Sequence, residues 1–166
     1  KLINKIFVST DSIKIKKISE KYGAIVPFKR PKKLANDIAT NLEVALHAVK
    51  SQGLDIMEVD RGVFPLPTLA SVFEDIRHEI LRGRGFILLR GLPVDRYSIE
   101  DSAIIYFGIG AHSGFPLPQN AKGHVLGHVK DLGRHEFDTK SRIYQTTARQ
   151  TFHTDSSDIV GLLCLH

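Results

Sequence analysis

An α+β fold is what this sequence predicts, on three observations. Apolar residues recur at intervals of three and four over residues 34–49 and again over 69–80, the period of one helix face. Residues 86–89, 124–129 and 143–156 are short apolar or extended-looking segments of strand type. Apart from short strands at the start, helices come first and strands later with no internal repeat, an order unlike alternating βαβ units.

Taken in order, the chain opens with the apolar and basic alternation Ile13-Lys14-Ile15-Lys16 and the apolar run Ala24-Ile25-Val26-Pro27-Phe28, both read as strands and closed by Pro27 and Pro31. From Leu34 the positions Leu34, Ile38, Leu42, Ala45, Leu46 and Val49 make a helix face that Gly53 ends. Residues 62–67 are a turn region. Leu69, Val72, Phe73, Ile76 and Ile80 mark a second amphipathic helix, ending near Gly83. Phe86-Ile87-Leu88-Leu89 suits a buried strand, stopped by Gly91 and Pro93. Ser98 with Asp101 three residues on predicts a third helix through Ile104, Ile105 and Phe107, the hydroxyl capping a free amide and the acid favoured by the positive helix end. Residues 115–123 form a loop, 124–129 a strand, 131–142 a polar connection and 143–156 another extended segment.

At 166 residues, 42% hydrophobic and 25% charged, the chain has the make-up of a soluble globular protein with one ordinary core. The net charge of +5 is uneven: residues 1–33 hold ten Lys/Arg against two acids, and the remainder is net acidic. Those lysines are interleaved with Ile, Val and Phe as on a solvated strand face, so neither nucleic acid nor a membrane is the expected partner. A single cysteine, Cys164, excludes an internal disulfide and suits a reducing, cytoplasmic setting; its apolar surroundings predict a buried, inert thiol. No run reaches the ~18 to 20 apolar residues of a membrane helix, and no secretory signal is recognisable. A first residue of Lys1 and a closing apolar run from Ile159 to His166 create the expectation of a fragment of a longer chain.

The chemistry concentrates at His153-Thr154-Asp155. In an extended segment side chains at i and i+2 project to one face, so the imidazole and the carboxylate reach a common point. A facial Fe(II) site takes two histidines and one carboxylate on one side of the metal and leaves the other positions open. The triplet supplies two of the three; alone it is also what a surface histidine beside a solvated aspartate looks like. Its competitors are poorer. His124 and His128 have the spacing of a helical zinc pair without its glutamate, and on a strand they would line a site instead. Gly108, Gly110 and Gly114 approach a phosphate-loop spacing but follow a helical stretch where a strand is required. Ser156 and Ser157 lack the Gly-x-Ser-x-Gly elbow of a hydrolase. His166 has the chemistry of a third ligand, with nothing in the sequence to anchor it.

Three longer stretches give the triplet a context: Arg84-Gly-Phe-Ile-Leu-Leu-Arg-Gly-Leu-Pro93, Gln119-Asn-Ala-Lys-Gly-His-Val-Leu-Gly-His-Val-Lys-Asp131 and Ile143-Tyr-Gln-Thr-Thr-Ala-Arg-Gln-Thr-Phe-His-Thr-Asp155. Together they resemble the taurine dioxygenase (TauD/TfdA-like) family of Fe(II)- and 2-oxoglutarate-dependent oxygenases, and most of all its fungal branch. The resemblance covers residues 34–166, is strongest after residue 84 and is weak over the lysine-rich start. The charge distribution sets residues 1–33 apart as a basic N-terminal segment; the resemblance implies, over 34–166, the N-terminal part of a dioxygenase domain, truncated at the C-terminus: a partial double-stranded β-helix (jelly-roll, clavaminate synthase-like) with flanking N-terminal helices.

The resemblance further implies that His153 and Asp155 are the first two iron ligands, with 2-oxoglutarate as cosubstrate. The implied reaction decarboxylates 2-oxoglutarate to succinate and CO₂ while O₂ oxidises a C–H bond of a small organic substrate. Gln119 and Asn120 fall where the family borders its substrate pocket, and Arg149 and Gln150 are further candidates for substrate contact. The family's second histidine, its cosubstrate-binding arginine and the threonine that helps hold the cosubstrate lie downstream of anything assignable in this chain. Self-association is compatible with the family. The competing expectation is a non-catalytic binding or scaffold fragment of the same fold with an incomplete metal site, and a weaker third is a metal-dependent hydrolase.

Overall fold

The structure, a computed structural model, describes residues 6–35, 40–135, 137 and 141–165. Its α-helices among these residues are α1 (Ile13–Lys21), α2 (Asn41–Gln52), α3 (Ala70–Arg82) and α4 (Ile99–Gly110). Contacts divide the chain into one unit running through Phe115 and a second from Pro116 to Cys164.

The first correction falls on the start, where Ile13-Lys14-Ile15-Lys16 begins a helix and not a strand. Four alternating residues are too few to exclude a helix. Ser12 decides the matter by accepting a hydrogen bond from the Ile15 amide, and Lys16 and Glu20 pair one turn apart at 3.8 Å. Ile25 of the second expected strand makes only an isolated parallel bridge with Phe7, and Thr10 bridges Lys29 in the same way.

The helix expected from Leu34 starts later. Lys32–Leu34 is a separate 3₁₀ turn, Ile38 lies outside the described residues, and α2 opens at a capping box in which Thr40 and Glu43 each accept from the other's backbone amide. Gly53 closes α2 in the left-handed conformation at φ 61°. The expectations for α3 and α4 match the observed helices: α3 ends at Gly83, and Ser98 accepts from the Asp101 amide at 3.0 Å.

The core of this unit joins Ala45, Leu46 and Val49 of α2, Phe73 and Ile76 of α3, and Ile104, Ile105 and Phe107 of α4 to the loop residues Val59, Phe64 and Leu66. Lys50 reaches from α2 to Asp101 of α4 at 2.6 Å. Phe64 is fully buried, and its ring sits so close to Gly108 that a Cβ there would lie 2.5 Å from it. The Phe64 carbonyl faces His112 Nε2 at 2.9 Å, and the His112 ring stacks on Phe73 with centroids 4.7 Å apart. These contacts fasten the 60–66 loop to the end of α4.

One polar atom in this core is out of place. Ser102 is 2% exposed and its hydroxyl has no hydrogen-bond partner. A buried unsatisfied polar group costs about 1–3 kcal/mol, and alanine is the better helix former. Ser102→Ala is therefore expected to stabilise the fold by about 1 kcal/mol, read as a higher urea midpoint at unchanged m-value.

His47 on α2 gives the fold a pH dependence. Burial, and then the neighbouring Lys33 charge, push its imidazole below the ordinary value of 6.5. The unfolded chain thus binds this proton at higher pH than the folded one. Its contribution to stability is complete above the ordinary histidine range and is lost as pH falls through 6.5 toward the folded value. Thermal melts from pH 7.5 down to 5.5 are expected to show a smaller fall in Tm for His47→Gln than for the parent.

No named strand occurs among the described residues. The stretch 86–89 is irregular, with Phe86 63% and Leu88 68% exposed, and among the described residues no backbone hydrogen bond engages it. An apolar run becomes a strand only beside a neighbour that takes its amides and carbonyls, and 86–89 has none here. Arg84 instead ties the exit of α3, bonding Glu79 and lying over the Phe86 ring at 5.4 Å. In the second unit 124–129 is likewise irregular, and 143–156 opens with a 3₁₀ turn at Ile143–Gln145. The Lys130 and Leu132 amides donate to the Tyr144 and Gln145 carbonyls, two bonds that fall short of a ladder. The partial β-helix is therefore absent from the described residues, for want of strand partners. Cys164 is exposed, against the expected burial, because Val160 and Leu162 around it are uncovered too.

Candidate metal centre

The candidate ligands lie in the second unit, preceded by a loop that its own polar side chains shape. Asn120 Oδ1 accepts from the Lys122 and His124 amides at 3.0 and 3.3 Å, and its Nδ2 lies 3.0 Å from His124 Nδ1. The asparagine thus folds the turn that Gly123 completes at φ 82°, a backbone conformation glycine adopts without strain. Gln119 donates its side-chain amide to the Leu117 carbonyl and its backbone amide to His124. Both expected substrate contacts sit together in this turn, with the polar groups of Asn120 engaged by the turn itself. His128 is exposed on the segment that follows.

Downstream, Gln145 gathers Arg134 Nη1 and the Arg142 amide on its side-chain oxygen. Thr146 then donates to the Ile143 carbonyl and accepts from the Ala148 amide, turning the chain toward residue 150. Arg149 is exposed there.

His153 is held by local bonds. Its Nδ1 lies 2.9 Å from the Thr151 carbonyl, which only accepts, so Nδ1 carries the proton and Nε2 presents its lone pair. Gln150 Nε2, a donor, stands 3.3 Å from that lone pair. Asp155 Oδ1 stands 3.9 Å from the same Nε2. Two acceptors at that distance share no hydrogen bond. Two ligand atoms about 2 Å from one cation and at right angles to each other stand about 3 Å apart, so the pair has the donor atoms of a metal site and would close by about 1 Å on binding one. The carbonyl behind Nδ1 is the kind of outer partner that orients a ligating imidazole. Thr151's role could not be read in advance, because it is exercised by a backbone oxygen that every residue carries.

The pair is open to solvent. The His153 and Asp155 side chains are about half exposed, and Phe152 between Thr151 and His153 is fully so. No group of three or more His, Cys, Asp or Glu side chains suited to a metal occurs among the described residues. His166 lies outside them.

Residues 51–166 match the family model described as "Taurine catabolism dioxygenase TauD, TfdA family". The chain is 30% identical over 122 residues to FR-33289 synthase of Streptomyces rubellomurinus (strain ATCC 31215), covering 73% of this chain and 36% of that protein. It is 32% identical over 137 residues to the "Taurine hydroxylase-like protein SAT17" of Stachybotrys chartarum (strain CBS 109288 / IBT 7711), covering 78% of this chain and 35% of the relative. The chain thus spans about a third of the length of these curated relatives. A match running from the end of α2 through the His153 and Asp155 pair, with two relatives at this identity, makes the chain a member of the TauD, TfdA dioxygenase family.

Proposed function

We propose that this chain belongs to an Fe(II)- and 2-oxoglutarate-dependent dioxygenase that oxidises a C–H bond of a small organic substrate, and that His153 and Asp155 are two of its iron ligands. The family consists of dioxygenases that in general use iron and 2-oxoglutarate, with O₂ and a small molecule as substrates. The observation that carries the reading for this chain is the facing pair of acceptors, 3.9 Å apart, with the imidazole tautomer already set for Nε2 ligation. The domain reading goes with it: a basic segment at 1–33 and, over 34–166, the N-terminal part of a dioxygenase domain of the jelly-roll β-helix type. A cytoplasmic setting also belongs to the proposal; among the described residues no helix is long and apolar enough to cross a membrane.

Within this reading the protein's own groups do three things. The Thr151 carbonyl keeps the proton on Nδ1 of His153, so that Nε2 is free to donate its lone pair. Asp155 contributes the negative charge that favours a divalent cation over water at the same point. Gln150 stands beside Nε2 at 3.3 Å; Arg149 adjoins it on the same exposed stretch, and Gln119 and Asn120 act from the 119–124 turn. When bound, the iron and 2-oxoglutarate supply the oxidative chemistry, as cofactors do.

The test is succinate formation from 2-oxoglutarate by the protein as its source makes it, with and without Fe(II). Iron-dependent succinate is the expected result, and none at any iron concentration overturns the reading. One observation favours a second reading, a non-catalytic binding or scaffold piece of the same fold: the described residues bring no third ligand to the pair. That reading requires ligand binding indifferent to Fe(II) and chelator.

A further inference from the structure

Helix α1 differs from the other helices in burying nothing. None of Ile13–Lys21 is buried, whereas α2, α3 and α4 each commit residues to the core. A nine-residue helix is short for standing alone in water. This one is secured by the Ser12 cap and by the Tyr22 amide bonding back to Ile18, with none of its side chains fully buried. At 3.6 residues per turn, Ile15, Ile18 and Tyr22 fall within about 60° of one another, and Lys14, Lys17 and Lys21 gather within a similar arc on the adjoining flank. All six are exposed, Tyr22 to 82%. Lys16 is directed elsewhere, toward Glu20.

This is the pattern of a helix that lies in a membrane interface: an apolar stripe, a lysine flank and a tyrosine at the border. The charge points to an anionic occupant, since residues 1–33 carry ten basic residues against two acidic ones. A nucleic-acid backbone would take the lysines and leave Ile15 and Ile18 in water. A bilayer takes both, because lysine stems lie along the apolar boundary while their ammonium groups reach phosphate. Exposed Ile6, Phe7 and Ile25, on the two segments bridged at Phe7 and Ile25, continue the apolar character beyond the helix, which suits an extended surface better than a groove shaped for one helix. All of this precedes residue 51, where the family match begins.

We propose that α1 docks this protein on an anionic phospholipid surface, with Ile15, Ile18 and Tyr22 entering the interface and Lys14, Lys17 and Lys21 meeting the headgroups. The expectation of no membrane partner rested on span length and on reading the lysines as a strand face. A helix lying on a surface needs no span, and the segment is helical.

The experiment is co-sedimentation of the whole chain with phosphatidylcholine vesicles, with and without phosphatidylserine, over a salt series. Binding confined to the phosphatidylserine vesicles and weakening with salt is expected, and this arm needs no variant. Replacing the three lysines by glutamine (K14Q, K17Q, K21Q) is expected to lower the affinity roughly a hundredfold. Ile15→Ser with Ile18→Ser is expected to lower it at least about tenfold, with the far-ultraviolet spectrum checking that helices persist. Equal binding to both vesicles, or none to either, overturns the proposal. So does binding that ignores the serine changes, which would be charge attraction without insertion. A dimer that the serine changes dissolve, in the absence of vesicle binding, assigns the stripe to a second copy instead. None of these readouts depends on iron, so failure here leaves the dioxygenase reading intact.

Discussion

His153→Ala and Asp155→Ala are each expected to lower Fe(II) affinity by more than about a hundredfold, the upper end of what losing even an outer-shell partner costs a metal site, with succinate formation expected to fall with it. The expectation rests on two acceptors facing one another, Nε2 of His153 and Oδ1 of Asp155, 3.9 Å apart. Equilibrium dialysis against Fe(II), or against Mn(II) under air, reads affinity without turnover. A residue with a merely structural role would shift the melting temperature first. Here both side chains are about half exposed, so the substitutions should leave stability nearly unchanged while removing the metal. Metal affinity within threefold of the parent for either variant would mean that the ligands are elsewhere. Gln150→Ala is the internal control, because the lost amide contacts the imidazole and supplies no charge.

Legibility in the sequence followed how local the physics is. The cap of α4 could be read because the Ser98 hydroxyl and the amide three residues on are covalently close, and Gly53 marked the end of α2; the Thr40–Glu43 capping box that starts α2 went unread behind the apolar period from Leu34. The Ile13–Lys16 alternation misled because a four-residue window fits both periods, and the Ser12 cap and the Lys16–Glu20 pair act only in the helical one. The expected strands at 86–89 and 124–129 were apolar enough, but a strand depends on a second segment whose presence no local pattern reports. At the candidate site the His-x-Asp spacing was visible. The Thr151 carbonyl that sets the imidazole tautomer was not, since it is a property of backbone path. Asn120 was expected as a substrate contact from the family resemblance, yet its hydrogen bonds to the Lys122 and His124 amides fold its own turn, which sequence cannot separate from reaching toward a ligand.

Phe64→Ala is expected to cost about 3–5 kcal/mol, since Phe64 is the largest fully buried side chain among the described residues, and that is a large part of the ~5–15 kcal/mol a domain possesses. The ring is fully buried and holds the 60–66 loop against α4, with Gly108 directly beneath it. Gly108→Ala tests the same contact from the other side, and its sign is informative. In an exposed helix this change stabilises by ~1 kcal/mol. Here the added Cβ would stand 2.5 Å from Cγ and Cδ1 of Phe64, and overpacking of that kind costs about 1–3 kcal/mol, so the net effect is destabilising. In the double variant the methyl group enters the space the ring has left. The summed single losses should then exceed the double loss by more than about 1 kcal/mol, measured by urea denaturation of all four proteins. Strict additivity would mean that the loop moves away from α4 when the ring is removed, and that the His112 bond to the Phe64 carbonyl, and not the ring, fixes the loop in place.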